Sequence, residues 1–156
     1  KRVYFSDSVI VMTSNLGSDE FKRYQKPMGF LTDKSELHSV KREVMRHVEN
    51  NFSPEFINRI GDIIIFSPLS EQEVEQITRM YLGNIRDTMR QHGRNLVFSD
   101  PAVSHLARTG FSIKYGARFL KRSIDEKIKI PLTLHWKDGH CFCIDVEDEK
   151  LSITWE

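Results

Sequence analysis

The sequence predicts an α/β protein in two parts, and two observations indicate this fold class. Two β-branched apolar runs, Val9 to Met12 and Ile63 to Phe66, flank a helical stretch, which is typical of buried parallel strands. After Pro68 the pattern becomes helical and ends in alternating strands. We therefore expect α/β structure in residues 1–69 and a small α+β domain, with helices and a roughly three-stranded sheet, in residues 70–156.

The longer helices are predicted by apolar spacing and by their end signals. A helix is expected from about Glu36 to Asn51, with one apolar face formed by Leu37, Val40, Val44 and Val48. Ser70 and Glu73 form a capping-box pattern at the start of a long helix that ends near Gly93. Its apolar stripe consists of Val74, Ile77, Tyr81, Ile85 and Met89.

Shorter elements follow this helix. A strand is expected at Asn95 to Phe98, and the next helix has Asp100 as its N-cap, Pro101 at its first position and Gly110 at its end.

A third helix starts around Gly116, and Pro131 breaks or kinks it. Its apolar stripe consists of Leu120, Ile124 and Ile128. Two alternating strands, His140 to Val146 and Lys150 to Trp155, are joined by a tight acidic turn.

The composition indicates a compact soluble protein. The chain has 156 residues, of which 39% are hydrophobic and 29% charged, and its net charge is +1. A charge this small argues against nucleic acid or an anionic membrane as a partner. The apolar runs are too short to span a bilayer, and residues 1–12 do not resemble a signal peptide. We therefore expect a cytoplasmic location.

The two cysteines lie in an alternating strand pattern, which places Cys141 and Cys143 on one face. A metal site would need further ligands, and only His140 is adjacent. Free cysteines are most often small buried hydrophobic residues, so we expect no metal site here.

Three short segments resemble one protein family when they occur in this order: VIVMTSNLG (Val9 to Gly17), FSPEFINRI (Phe52 to Ile60) and KYGARFLKRSI (Lys114 to Ile124). Together they resemble the last part of an AAA+ ATPase module, and the resemblance is closest to the Clp/ClpB protein-unfolding family. It implies that residues 1–69 are the C-terminal part of the large α/β subdomain and that residues 70–156 are the small C-terminal lid subdomain.

The sequence contains no G-x-x-x-x-G-K-[ST] loop (Walker A) and no apolar strand ending in Asp-Glu (Walker B). The cofactors implied by the resemblance, ATP and Mg²⁺, are therefore expected of the full-length protein, with the Mg²⁺ ligands outside this chain. The chain alone is expected to be inactive. The family's sheet also places the phosphate-loop strand between the two strands kept here, which leaves them as unpaired hydrophobic edges.

Asn15 matches the family's first sensor, which orients the water that attacks the γ-phosphate. An amide suits this role because it both donates and accepts hydrogen bonds. The alternative is a turn that satisfies its own backbone.

Arg59 matches the family's arginine finger, which enters the nucleotide site of the neighbouring subunit. This role implies a hexameric ring in which each subunit contacts its own copies. The alternative is an ion pair with Glu55, four residues earlier on one helical face.

Arg118 matches the second sensor, which reaches the nucleotide of its own subunit, and an arginine in the first turn of a helix suits an anion. The alternative is a solvated basic face with Lys121 and Arg122. Phe119 stands where the family usually has Pro.

Met28, Gly29 and Phe30 lie in an expected loop and resemble the tripeptide by which ClpA and ClpC dock a ClpP-type peptidase. The alternative is a glycine turn that packs Phe30 on the module's own surface.

The resemblance thus implies an ATP-dependent unfoldase of unfolded or tagged proteins that feeds a peptidase. Alternatives are a ClpB-like disaggregase without a peptidase, a non-catalytic assembly or docking module, and an AAA+ protein that acts on nucleic acid, which the charge argues against.

Overall fold

The computed structural model describes residues 6–23, 34–111 and 117–156. These residues form two compact units, one of residues 6–23 and 34–66 and the other of residues 67–111 and 117–156. Each unit has its own helices and is described separately below.

The first unit contains three helices: α1 (Ser18–Arg23), α2 (Lys34–Asn51) and α3 (Pro54–Ile57). Val40 and Val44 on α2 are buried, as the predicted apolar face requires, and Phe21 of α1 is also buried. Helix α3 begins at Ser53, whose Oγ accepts a hydrogen bond from the Phe56 N–H at 3.3 Å.

The two apolar runs expected as buried strands form no strand in this structure. Val9 is 91% exposed, Met12 60% and Phe66 86%. Within the described residues the sheet consists of strands of the second unit alone, so neither run is paired as part of a sheet. The expectation of burial is therefore wrong for this chain by itself, because a strand is stabilised by its neighbours. The second expectation, that both runs stand as unpaired hydrophobic segments, is confirmed.

Helix α4 (Glu71–Gln91) opens the second unit with the predicted capping box. Ser70 Oγ accepts from the Glu73 N–H at 3.3 Å, and the Ser70 N–H donates to Glu73 Oε2 at 2.7 Å. Of the predicted stripe, Val74 and Met89 are fully buried, and the other members pack partly buried against the core. The buried face also includes Thr78 and Leu82, which the sequence pattern did not indicate.

Strand β1 (Asn95–Phe98) and helix α5 (Asp100–Gly110) follow. The N-cap of α5 is Ser99, whose Oγ accepts from the Ala102 N–H at 3.2 Å, so the expectation that Asp100 is the cap is wrong. Asp100 instead forms an ion pair with Arg79 on α4 at 2.8 Å.

Helix α6 (Ala117–Ile124) continues through a π-helical turn (Asp125–Lys129) into helix α7 (Ile130–Leu134). Pro131 lies in the first turn of α7. The regular α-helix is thus interrupted by a π turn directly before this proline, which has no backbone N–H to donate. The predicted stripe of Leu120, Ile124 and Ile128 is buried.

The chain ends in strands β2 (Cys141–Glu147) and β3 (Lys150–Trp155). Strand β2 is central, parallel to β1 and antiparallel to β3. Asp148 and Glu149, which join β2 to β3, both have positive φ, as a two-residue hairpin turn of this hand requires. Helices with a small three-stranded mixed sheet confirm the predicted fold class.

The inward positions of β2 are taken by Phe142 and Ile144, which are fully buried, and β2 packs against α5. Cys141 is therefore exposed and Cys143 only partly buried. The two cysteines share a face as predicted, but the expectation that they are buried hydrophobic residues is wrong, because the core lies on the other face.

Candidate functional site

Asn15 lies in the turn that leads into α1. Its carbonyl oxygen accepts a hydrogen bond from the Ser18 N–H at 3.2 Å, and Gly17 has a positive φ of 75°. The residue is exposed, and within the described ranges nothing hydrogen-bonds to its amide group. The turn thus uses the main chain of Asn15 and leaves its side-chain amide available, so a turn role and a sensor role are compatible.

Arg59 lies in the turn directly after α3. Its N–H donates to the carbonyl of Phe56 at 3.0 Å, and the ring of Phe56 stacks on that of Phe52 with centroids 5.1 Å apart. The helix ends at Ile57, so Glu55 and Arg59 do not share a regular helical face. Arg59 is exposed, and no ion pair with Glu55 or any other described residue engages its guanidinium. The proposed alternative of a Glu55 ion pair is therefore not formed here.

Arg118 lies in the first turn of α6 and is exposed. Helix α6 is anchored by Leu120 and Ile124, which are buried in the core of the second unit. Arg122 binds Glu126 at 2.8 Å, and this hydrogen bond raises the pKa of its guanidinium. Arg118 has no such partner among the residues that the structure describes.

The candidate residues are divided between the two units. Asn15 and Arg59 belong to the first unit, and Arg118 belongs to the second. No hydrogen bond joins the side chains of Asn15 and Arg59 in the described part of the first unit. The loop residues Met28, Gly29 and Phe30 lie outside the described residues.

Two features of the described residues were not indicated by the sequence. The first is a hydrogen-bonded pair, Glu20 on α1 and His47 on α2, whose members are 27 positions apart and fit no motif. The second is a half-open cavity of about 400 Å³ in the second unit, between α4 and the π turn with α7. Its wall is mainly apolar, with Tyr81 and Trp136 beside Lys121, and it contains none of the candidate residues.

Metal-binding clusters and membrane-spanning helices are both absent from the described residues. Within residues 6–23, 34–111 and 117–156, no group of three or more histidine, cysteine or acidic side chains is arranged to hold a metal ion. The lowered pKa values of Glu73 and Asp145 arise from hydrogen bonds with Ser70 and Ser99 in the second unit. Among the helices that the structure describes, none is both long and apolar enough to cross a membrane.

Two family models match successive parts of the chain. Residues 1–63 match an AAA domain of the Cdc48 subfamily, and residues 69–141 match the C-terminal, D2-small domain of the ClpB protein. The boundary between the two matches falls in the segment that leads into α4.

Curated relatives carry two kinds of name. The chain is 38% identical over 132 residues to "Chaperone protein ClpB" of Vibrio vulnificus (strain YJ016), which covers 85% of the chain and 15% of that protein. It is 33% identical over 157 residues to "Chaperone protein ClpB 2" of Nostoc sp. (strain PCC 7120), covering 97% and 17%. It is 30% identical over 155 residues to "ATP-dependent Clp protease ATP-binding subunit ClpC" of Staphylococcus aureus (strain USA300), covering 98% and 18%. The chain thus spans less than a fifth of the length of these relatives.

Proposed function

This chain belongs to the Clp/ClpB family of AAA+ ATPases, as a C-terminal part of the ATPase module, and on that premise we propose that it completes the nucleotide site of an ATP-dependent protein unfoldase. Asn15 orients the attacking water, Arg59 acts on the nucleotide of the neighbouring subunit in a hexameric ring, and Arg118 contacts the nucleotide of its own subunit. The phosphate loop and the Mg²⁺ carboxylate are supplied by other parts of the full-length protein, because this sequence contains neither.

The observation that carries this proposal is that Arg59 and Arg118 are exposed and form no ion pair with a described residue. Other arginines are held in ion pairs with nearby carboxylates: Arg46, Arg79, Arg86, Arg108 and Arg122. Arg59 and Arg118 are exposed and have no such partner in the described part of the chain, although Arg42 and Arg90 share that property. Exposure together with the motif position therefore singles out Arg59 and Arg118 as cations available to a phosphate.

The chemistry of each residue follows from its group. ATP supplies the phosphoryl group that is transferred to water. A guanidinium that neutralises charge developing on that group accelerates the step by about 10³ to 10⁵, which is the effect proposed for Arg59. Arg118 binds the phosphates in the ground state as well, so it contributes to affinity. Asn15 donates and accepts hydrogen bonds, which fixes the direction of the attacking water.

The protein substrates are proposed to be unfolded or tagged polypeptides, and the partner a ClpP-type peptidase. Met28, Gly29 and Phe30 support the peptidase, as does the ClpC match, which extends over 98% of the chain. A ClpB-like disaggregase without a peptidase is a second candidate, favoured by the D2-small match and by the higher identity to the Vibrio protein.

The proposal is tested in the full-length protein with two arginine substitutions. We expect Arg59→Ala to abolish most ATP hydrolysis while nucleotide binding remains, because the finger serves the transition state. We expect Arg118→Ala to weaken nucleotide binding. Arg42→Ala, which removes another exposed and unpartnered arginine of the described first unit, is the control and should leave both properties unchanged. Full hydrolysis by Arg59→Ala would show that Arg59 is not the arginine finger. Absence of hydrolysis in the unsubstituted full-length protein would instead favour a non-catalytic assembly or docking module.

A further inference from the structure

Helix α1 begins three residues after Asn15 and is tied to it through the main chain. The Asn15 carbonyl accepts a hydrogen bond from the Ser18 N–H at 3.2 Å, and the Gly17 carbonyl accepts one from the Glu20 N–H at 3.1 Å. Helix α1 has only 6 residues, and a helix this short is not stable by itself in water. The orientation of Asn15 therefore depends on what holds α1 in place.

Among the described residues, contacts with Val44 and His47 hold the start of α1 on one face of α2. Gly17 lies against Val44, where an added Cβ would be only 2.9 Å from Val44 Cγ1. Glu20 Oε1 lies 3.2 Å from Nε2 of His47. Val44 and His47 are three residues apart, so they lie on the same face of α2.

The hydrogen bond between Glu20 and His47 restricts where α1 lies along α2 more tightly than an apolar contact would, because it is directional. The Glu20 side chain is only 5% exposed, whereas that of His47 is 47% exposed. Withdrawing a carboxylate from water is costly unless hydrogen-bond donors meet it. A carboxylate only accepts, so the hydrogen of this bond belongs to Nε2 of His47. Because the bond needs one donor at one distance, it sets the register of α1 along α2.

We propose that Glu20 and His47 are positioning residues for Asn15. Their hydrogen bond holds α1 on α2 and thereby fixes the main chain from which the Asn15 side chain extends, in the turn before α1. This inference rests on the proposed sensor role of Asn15. Loss of the bond slows hydrolysis without weakening nucleotide binding, because the sensor acts on the attacking water rather than on the bound nucleotide.

The test compares His47→Gln with His47→Asn in the full-length protein. The amide nitrogen of glutamine takes the place of Nε2 and keeps the donor to Glu20, whereas that of asparagine takes the place of Nδ1 and lies out of reach. We expect His47→Asn to lower kcat about tenfold, within the ~10²-fold that a misplacement of roughly 1 Å costs. The KM for ATP should stay within about twofold of wild type, and His47→Gln should retain most of kcat.

Arg46→Asn is the matched control, because it places the same residue at the neighbouring, 72% exposed position of α2. It should leave kcat unchanged. Equal kcat values for the Gln and Asn variants of His47 would overturn the inference. If His47→Asn does not form rings, Glu20→Ala takes its place and should lower kcat in the same way, and a normal kcat would again overturn it.

Asn15→Ala separates this inference from the function on which it rests. A normal kcat for Asn15→Ala overturns the sensor role and the inference with it. A low kcat for Asn15→Ala with a normal kcat for His47→Asn overturns the inference alone. In the double variant we expect His47→Asn to cause no further loss, because it acts through Asn15, and a multiplied loss would contradict that route.

Discussion

Gly110 and Leu120 are in direct contact, and this contact seats α6 on the end of α5. A Cβ added to Gly110 would lie 2.9 Å from Leu120 Cδ1 and 3.4 Å from Leu120 Cα. Leu120 is fully buried, so its side chain has little room to move away. The backbone of α5 thus limits where α6, and with it Arg118, is placed in the second unit.

We expect Gly110→Ala to lower the free energy of unfolding by about 1 kcal/mol, because overpacking a filled core costs roughly 1–3 kcal/mol and alanine recovers part of this as a better helix former. Gly83→Ala is the matched control. Gly83 lies inside α4 with nothing within 4 Å of an added Cβ, so alanine there should raise stability by about 0.5–1 kcal/mol. Thermal unfolding of the wild type, the two single variants and the double variant measures the sign of each change in stability. Stabilisation by Gly110→Ala would show that the core yields at Leu120.

Acid should destabilise the second unit through the capping box of α4. The hydrogen bonds from Ser70 lower the pKa of Glu73 below its ordinary value. A carboxyl group with a lower pKa in the folded state stabilises fully above its unfolded pKa, about 4.3, and this contribution is lost as pH falls through the folded pKa. We therefore expect unfolding temperatures to change little between about pH 7 and 5 and to fall below that.

Ser70→Ala tests the cause of this acid sensitivity. At neutral pH it should cost about 1 kcal/mol, as the loss of an N-cap does. The substitution keeps the backbone N–H, which lowers the pKa of Glu73 most, and removes the hydroxyl bond, which lowers it further. The stability of the variant should therefore fall somewhat less steeply with acid than that of the wild type, and the two curves should draw closer at low pH without meeting. Parallel curves at all pH values would contradict this explanation.

The isolated 156-residue chain should neither bind ATP tightly nor hydrolyse it, because its sequence contains no phosphate-cradling loop and no Mg²⁺ carboxylate. Calorimetric titration with ATP and Mg²⁺ should show an affinity weaker than about 1 mM. Micromolar binding with turnover would disprove the prediction.

Arg59 should act between subunits. In the full-length protein, rings that mix Arg59→Ala subunits with subunits that are hydrolysis-dead but keep Arg59 should recover some activity, because some interfaces then pair an intact finger with an intact site. ATP hydrolysis measured across mixing ratios tests this action between subunits, and mass spectrometry confirms that mixed rings form. No recovery at any ratio would count against action in trans.

Phe30→Ala in the full-length protein should abolish peptidase-dependent degradation of an unfolded substrate and leave the ATPase rate and unfolding near wild type. Truncating a hydrophobic anchor commonly costs about 2 kcal/mol, roughly thirtyfold in affinity for each loop, and several loops acting together multiply the loss. Leu31→Ala, an adjacent apolar residue outside the tripeptide, is the control and should degrade normally. Unchanged degradation by Phe30→Ala would favour the disaggregase.

The local signals in the sequence were the reliable ones. Ser70 and Glu73 predicted the start of α4 because both partners of a capping box lie within one turn. Ser99 was missed because the next residue, Asp100, is also a good cap, and only the packing against α4 decides between them.

Other features had no such signal. Thr78 is tolerated in the core because its hydroxyl donates to the Val74 carbonyl on the same helix at 2.8 Å, which a polarity pattern does not show. His47, which hydrogen-bonds to Glu20, lies on another helix, and the exposure of Val9 to Met12 depends on whether a neighbouring strand pairs with this run. The exposure of Arg59 and Arg118 likewise had to be seen in the structure, although the motifs indicated both residues.

The exposed run from Val9 to Met12 also has a consequence for the chain in solution. A bare apolar segment with free backbone groups attracts another copy of itself, and that pairing does not close after a fixed number of copies. A ring closes at a defined size, whereas adhesion through such segments grows with concentration and withstands salt. Self-association of the chain on its own would therefore be open-ended aggregation. A monodisperse oligomer would require that this run be covered.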